Sequence, residues 1–116
     1  MQIDIQTRSF VMTEAIRNHS RRRLHFALSS YDDHIQRVVV RLSDINGPRG
    51  GADKRCHLRL VVPGLSDVVV EDIEADLYLA IDRAVDRAGR TLGRRLARQR
   101  DKSRAYTRPQ AASAAE

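Results

Sequence analysis

Cys56 and His57 stand side by side, a thiol next to an imidazole that could take its proton, the makings of a nucleophile–base pair. The residues around them alternate: Cys56, Leu58, Leu60 and Val62 against Arg55, His57, Arg59 and Val61, the pattern of a strand. Neighbours on a strand point to opposite faces, so the two side chains do not meet and Cys56 reads as a small core residue. His19, His25, His34 and His57 have no metal-ligand spacing, and one cysteine cannot build a structural zinc site of the usual kind. The run from Gly47 to Lys54 has the glycines of a phosphate loop but lacks the Gly-Lys-Ser/Thr ending and leads into a strand, with no helix N-terminus behind it. Its Arg49 and Lys54, with Arg55, are placed to touch a partner. Asp72, Glu74 and Asp76 precede a helix and read as complements to its dipole, not as a catalytic acid pair. The expectation is no catalytic residue, no metal, no cofactor and no small-molecule substrate.

What remains is electrostatic chemistry. Between Arg83 and Arg108 ten basic residues (Arg83, Arg87, Arg90, Arg94, Arg95, Arg98, Arg100, Lys102, Arg104 and Arg108) face only Asp86 and Asp101. The whole chain is +6, so the positive charge is concentrated in this segment while the remainder is slightly negative. A focused positive field attracts polyanions, above all nucleic acid. Arg83, Arg87, Arg90, Arg94 and Arg98 recur every three or four residues, which on a helix makes one face about 22 Å long. Asp86 is positioned to pair with Arg90, leaving most of the stripe unneutralised. A second set, Arg17, Arg21 and His25, repeats every four residues with Arg22 and Arg23 beside it. If both helices pack on one sheet face, their outer surfaces form a basic plane.

The elements that hold these residues follow from periodicity. Residues 2–8 alternate as a strand; Thr13 stands as an N-cap before a helix over 14–29, whose apolar side is Ile16, Leu24, Leu28 and Tyr31. Strands follow over 35–43, 55–62 and 67–73, with a loop through Asn46–Gly51 and a turn at Pro63-Gly64. On the outward side of these strands lie Arg37, Val39, Arg41, Arg55, His57 and Arg59, with no aromatic on which a base could stack. A last helix runs from Ala75 to about Lys102 on Leu77, Ile81, Val85, Ala88, Leu92 and Leu96, softened by Gly89 and Gly93. The predicted class is α+β, a single β-α-β-β-β-α domain over 1–104 with two helices on one sheet face, followed by a disordered tail over 105–116. At 116 residues, with one cysteine, no apolar run of membrane-spanning length and no signal-peptide start, the chain reads as a soluble cytoplasmic domain. Phosphate and shape recognition of structured RNA or duplex fits this surface better than reading of single-stranded bases.

Two stretches carry a family resemblance: Met12-Thr-Glu-Ala-Ile-Arg17, and Asp76-Leu-Tyr-Leu-Ala-Ile-Asp-Arg-Ala-Val-Asp-Arg87, with Leu92 and Asp101-Lys102 trailing. Over residues 2–104 the chain resembles the ribosome hibernation promoting factor / ribosome-associated inhibitor (RaiA-like) family in its short form. The resemblance implies a domain like the double-stranded-RNA-binding domains. It implies binding to the small ribosomal subunit and its rRNA in the channel of mRNA and tRNA, with arrest of translation under stress or in stationary phase. It places Arg17 and Arg23, and Arg87, Arg90, Arg94 and Arg98, on family basic positions that would meet rRNA phosphates; the expected binding set is completed by Arg21 and Arg83. Ala80 and Ile81 match the motif as packing residues, and Tyr78 is read the same way. The 44–55 loop is longer and richer in glycine than is usual in short members. Only a short tail stands where long forms carry a dimerisation domain, so the expectation is a chain that is monomeric when free and does not pair ribosomes by itself. The alternatives are a non-ribosomal structured-RNA-binding domain and a basic module docking an acidic protein.

Overall fold

The computed structural model describes residues 1–45 and 52–115, with side chains through residue 102. The expected loop at Asn46–Gly51, including Arg49, lies outside the described residues. Four strands, β1 (Gln2–Arg8), β2 (Arg37–Asp44), β3 (Lys54–Val61) and β4 (Val68–Glu74), form one sheet in the order β1-β2-β3-β4. The helices are α1 (Glu14–Leu28) and α2 (Leu77–Ala115). This is the predicted β-α-β-β-β-α order. β1 pairs with β2 in parallel, because α1 carries the chain back across the sheet; the β2–β3 and β3–β4 pairs are antiparallel.

Alternation decides which strand face the helices cover. Val38, Val40 and Leu42 of β2, Cys56, Leu58 and Leu60 of β3, and Val68 and Val70 of β4 are buried beneath them. At roughly 1.5–3 kcal/mol for each fully buried aliphatic side chain, this layer supplies much of the drive to fold. Val39, expected on the outward side, is buried as well. It lies mid-sheet on the open face between Asp4 and Arg59 of the flanking strands, where longer neighbours cover it. Burial, with Asp72 opposite, pushes the Cys56 thiol up to about 12, so it is a packing group, not a nucleophile.

The turns and caps follow local chemistry. Thr13 caps α1, its hydroxyl accepting from the Ile16 amide at 3.2 Å. Ser20, a polar residue among the α1 core positions, satisfies itself by donating to the Ile16 carbonyl at 2.8 Å. The polar segment after α1 forms a short 3-10 helix, Ser29–His34. Pro63-Gly64 makes a turn closed by the Leu65 amide on the Val62 carbonyl, with Gly64 at φ 87, a left-handed conformation that suits glycine.

Contacts between the helices climb together: His19 with Asp82, Arg23 with Asp86, Ala27 beside Gly89, Tyr31 beside Gly93. The helices therefore run parallel, and their N-termini share the end of the molecule where β1, β2 and β4 finish. Gly93 is explained by this approach, since a Cβ there would lie 2.6 Å from the Tyr31 hydroxyl, whereas one on Gly89 would meet Ala27 and Leu28 at ordinary contact distance. Helix α2 extends to Ala115, past the end near Lys102 that periodicity predicts. Periodicity reports where a helix packs, and the apolar rhythm stops at Leu96.

Candidate nucleic-acid interface

The α2 stripe forms as its spacing requires: Arg83, Arg87, Arg90, Arg94 and Arg98 are all exposed, while Ala80, Ile81, Ala84, Val85, Ala88 and Leu92 on the opposite side are buried. The five arginines are not equivalent. Arg83 lies 3.5 Å from Glu74, and Arg87 lies 3.7 Å from Asp72 while donating to the Glu71 carbonyl at 2.9 Å. Both are thus tied to the β4 edge. Asp72 and Glu74 are partners for these arginines; only Asp76 acts on the helix start, accepting from the Tyr78 amide at 3.0 Å. A hydrogen bond with Asp72, aided by desolvation, holds the Glu74 carboxyl above the usual carboxylate range, with Arg83 pulling the other way. Arg90 and Arg98 have no ion-pair or hydrogen-bond partner among the described residues, and Arg94 reaches only the Thr91 hydroxyl at 3.5 Å. The free charge of the stripe therefore sits in its C-terminal half.

On α1, Arg17 and Arg21 are exposed and without a carboxylate partner among the described residues. Arg23 is not. Its guanidinium is 3.1 Å from Asp82 and 2.8 Å from Asp86, with the Phe26 ring centroid 6.0 Å away. Asp86 is thus spent on Arg23 and not on Arg90 as its spacing suggests, because parallel packing brings α1 closer than the next turn of its own helix. His19 joins the same seam, 2.7 Å from Asp82 and edge-on to Tyr78 at 4.8 Å. Around α1, Arg17 and Arg21 point roughly 120–160° away from Arg23 at 100° per residue, so the seam separates their charge from the α2 stripe. The basic surface is two rows flanking a neutralised line.

One residue outside the expected set matters for positioning. Arg95 donates to the Ser66 and Asp67 carbonyls at 3.2 and 3.1 Å, fixing α2 over the turn into β4. Its spacing alone gives no sign of this, since the partners are backbone groups. Among the described residues no group of His, Cys, Asp or Glu could hold a metal, and no helix is long and apolar enough to cross a membrane.

The family model described as sigma 54 modulation protein / S30EA ribosomal protein matches residues 3–100. The chain belongs to this family. Its non-enzymatic character follows from that membership. Among solved structures, the Protein Y N-terminal domain of Thermus thermophilus is 35% identical, with a TM-score of 0.68 over 81% of this chain and 98% of that one. A ribosomal subunit interface protein from Coxiella burnetii shares the fold, with a TM-score of 0.72 at 20% identity over 84% of this chain and 99% of that one. No curated protein matches in sequence. The S30EA family is one of ribosome-associated hibernation factors, so the resemblance carried by the Met12–Arg17 and Asp76–Arg87 stretches is sound.

Proposed function

We propose that this S30EA-family chain is a translation inhibitor that binds the rRNA of the small ribosomal subunit and obstructs the channel of mRNA and tRNA. The observation that carries the reading is the pair of exposed arginine rows, Arg90, Arg94 and Arg98 on α2 with Arg17 and Arg21 on α1, without carboxylate partners among the described residues, on a chain of this family. Five such contacts would make log K fall with log salt at a slope of about −4 to −5. Arg83, Arg87 and Arg23 belong to the same surface but begin from an ion-paired state, so each contributes less. The Coxiella relative is described as a subunit interface protein, which suits a steric mechanism in which no bond is made or broken. Residues 1–104 would form the binding domain and 105–116 a tail outside it, in a cytoplasmic protein that is monomeric when free.

The test is competition on purified small subunits: labelled mRNA and initiator tRNA are bound with increasing protein present. The expected result is displacement of both ligands at concentrations where the protein saturates the subunit. Saturation without displacement would contradict the steric mechanism, and equal affinity for bulk duplex RNA would turn the reading to a general RNA-binding domain.

A further inference from the structure

We infer that the open sheet face, opposite the helices, carries a second phosphate-binding site built on Arg8, Arg41, Arg55 and His57. These residues, with Gln6 and Ser43, line a depression of about 460 Å³ at the end of the sheet where β1 and β2 finish and β3 begins. The pairing register assembles them. Gln6, Arg41 and His57 lie in one cross-strand row, and Arg8, Ser43 and Arg55 in the next. With strands about 4.8 Å apart, the backbone origins of the three arginines fall within about 10 Å, close enough for their long side chains to converge on one oxyanion group.

Charge on this face is not evenly cancelled. Arg37 lies 3.6 Å from Asp4 and Arg59 lies 3.7 Å from Asp67, so the arginines at the far end of the face are paired. At the near end, Arg8 and Arg41 have no carboxylate partner among the described residues. Arg55 is held by Glu71 at 2.8 Å, yet its Nε is shielded from solvent without a hydrogen-bond partner among the described residues. Like charges brought together across strands disfavour the fold, and a bound anion relieves that repulsion. Arginine forks match phosphate oxygens two at a time, while the Ser43 hydroxyl and Gln6 amide add neutral donors. No aromatic lies on this face of β2 or β3, so the site suits phosphate and not a stacked base.

The depression and the α2 stripe lie on opposite sides of the sheet, so one phosphodiester cannot span both. The domain would therefore hold two anionic segments at once, and this inference stands whether or not the polyanion is ribosomal. The chemistry is that of a phosphate oxyanion, supplied by an RNA backbone or by a free polyphosphate.

The test uses the full chain, an Arg8→Glu/Arg41→Glu variant and an Arg90→Glu/Arg94→Glu variant, all checked for retained fold by circular dichroism. The probes are an RNA duplex and inorganic tripolyphosphate, read by the His57 ring resonances and by the salt dependence of RNA binding. The expected result is a His57 shift on RNA addition in wild type and in the α2 variant, abolished in the sheet variant, whose salt slope falls by about two. A shift with RNA alone assigns the site to an RNA backbone; a saturable shift with tripolyphosphate at micromolar concentration assigns it to a free polyphosphate. His57 resonances unmoved by either probe, or moved as much in the sheet variant as in wild type, would overturn the proposal.

Discussion

Arg23 of α1 and Asp86 of α2 meet at 2.8 Å, and this contact partly neutralises one arginine of the basic surface while stitching the two helices together. Both groups are partly exposed, so the pair is worth at most about 1 kcal/mol of stability. Replacing Arg23 with Ala is expected to change RNA affinity less than replacing Arg90, whose charge has no partner to give up among the described residues. Asp86→Asn should strengthen RNA binding by leaving Arg23 less neutralised. Fluorescence titration of a duplex RNA at two salt concentrations checks both; equal losses for Arg23→Ala and Arg90→Ala would contradict the ranking.

Gly89 and Gly93 differ in what lies across from them. A Cβ on Gly89 meets Ala27 and Leu28 at 3.5–3.9 Å, an ordinary contact, so Gly89→Ala should raise stability by up to about 1 kcal/mol through helix propensity. A Cβ on Gly93 meets the Tyr31 hydroxyl at 2.6 Å. Gly93→Ala should therefore fail to stabilise, and should do so only after Tyr31→Phe removes that oxygen. Thermal unfolding of the four variants measures the coupling, expected at about 0.5 kcal/mol or more; additive effects would refute it.

Much of this was legible in the sequence because the relevant signals are local. Alternation placed Val38, Leu58 and Leu60 on the buried face, Thr13 announced the start of α1, and the three- and four-residue spacing put Arg90, Arg94 and Arg98 on one face. The partners of those residues were not legible. Asp86 offers Arg90 at helical spacing but takes Arg23, because parallel helix packing is a tertiary fact. Arg8 joins Arg41 and Arg55 only through the parallel β1–β2 register, which no local pattern encodes. Likewise Val39 alternates outward yet is covered by neighbours on adjacent strands.

The carboxyl of Glu74 is held above its usual range by Asp72, and this carries a sign for pH dependence. Because the folded chain takes up this proton at a higher pH than the unfolded chain, the group's contribution to stability rises as pH falls through the folded value towards 4.5. Glu74→Gln removes that gain. Melting temperatures of the two proteins between neutral pH and the usual glutamate range should show wild type improving relative to the variant as pH falls; a constant gap would contradict the assignment.

The central claim is that the exposed arginines in the C-terminal half of the α2 stripe, without carboxylate partners among the described residues, bind the small ribosomal subunit. Its most direct test is co-sedimentation with purified subunits through a sucrose gradient at low and moderate salt, comparing wild type with Arg90→Glu/Arg94→Glu/Arg98→Glu. Wild type should travel with the small subunit and dissociate as salt rises, while the variant stays at the top. A variant that co-sediments like wild type would contradict the account, as would a wild type that stays at the top at low salt.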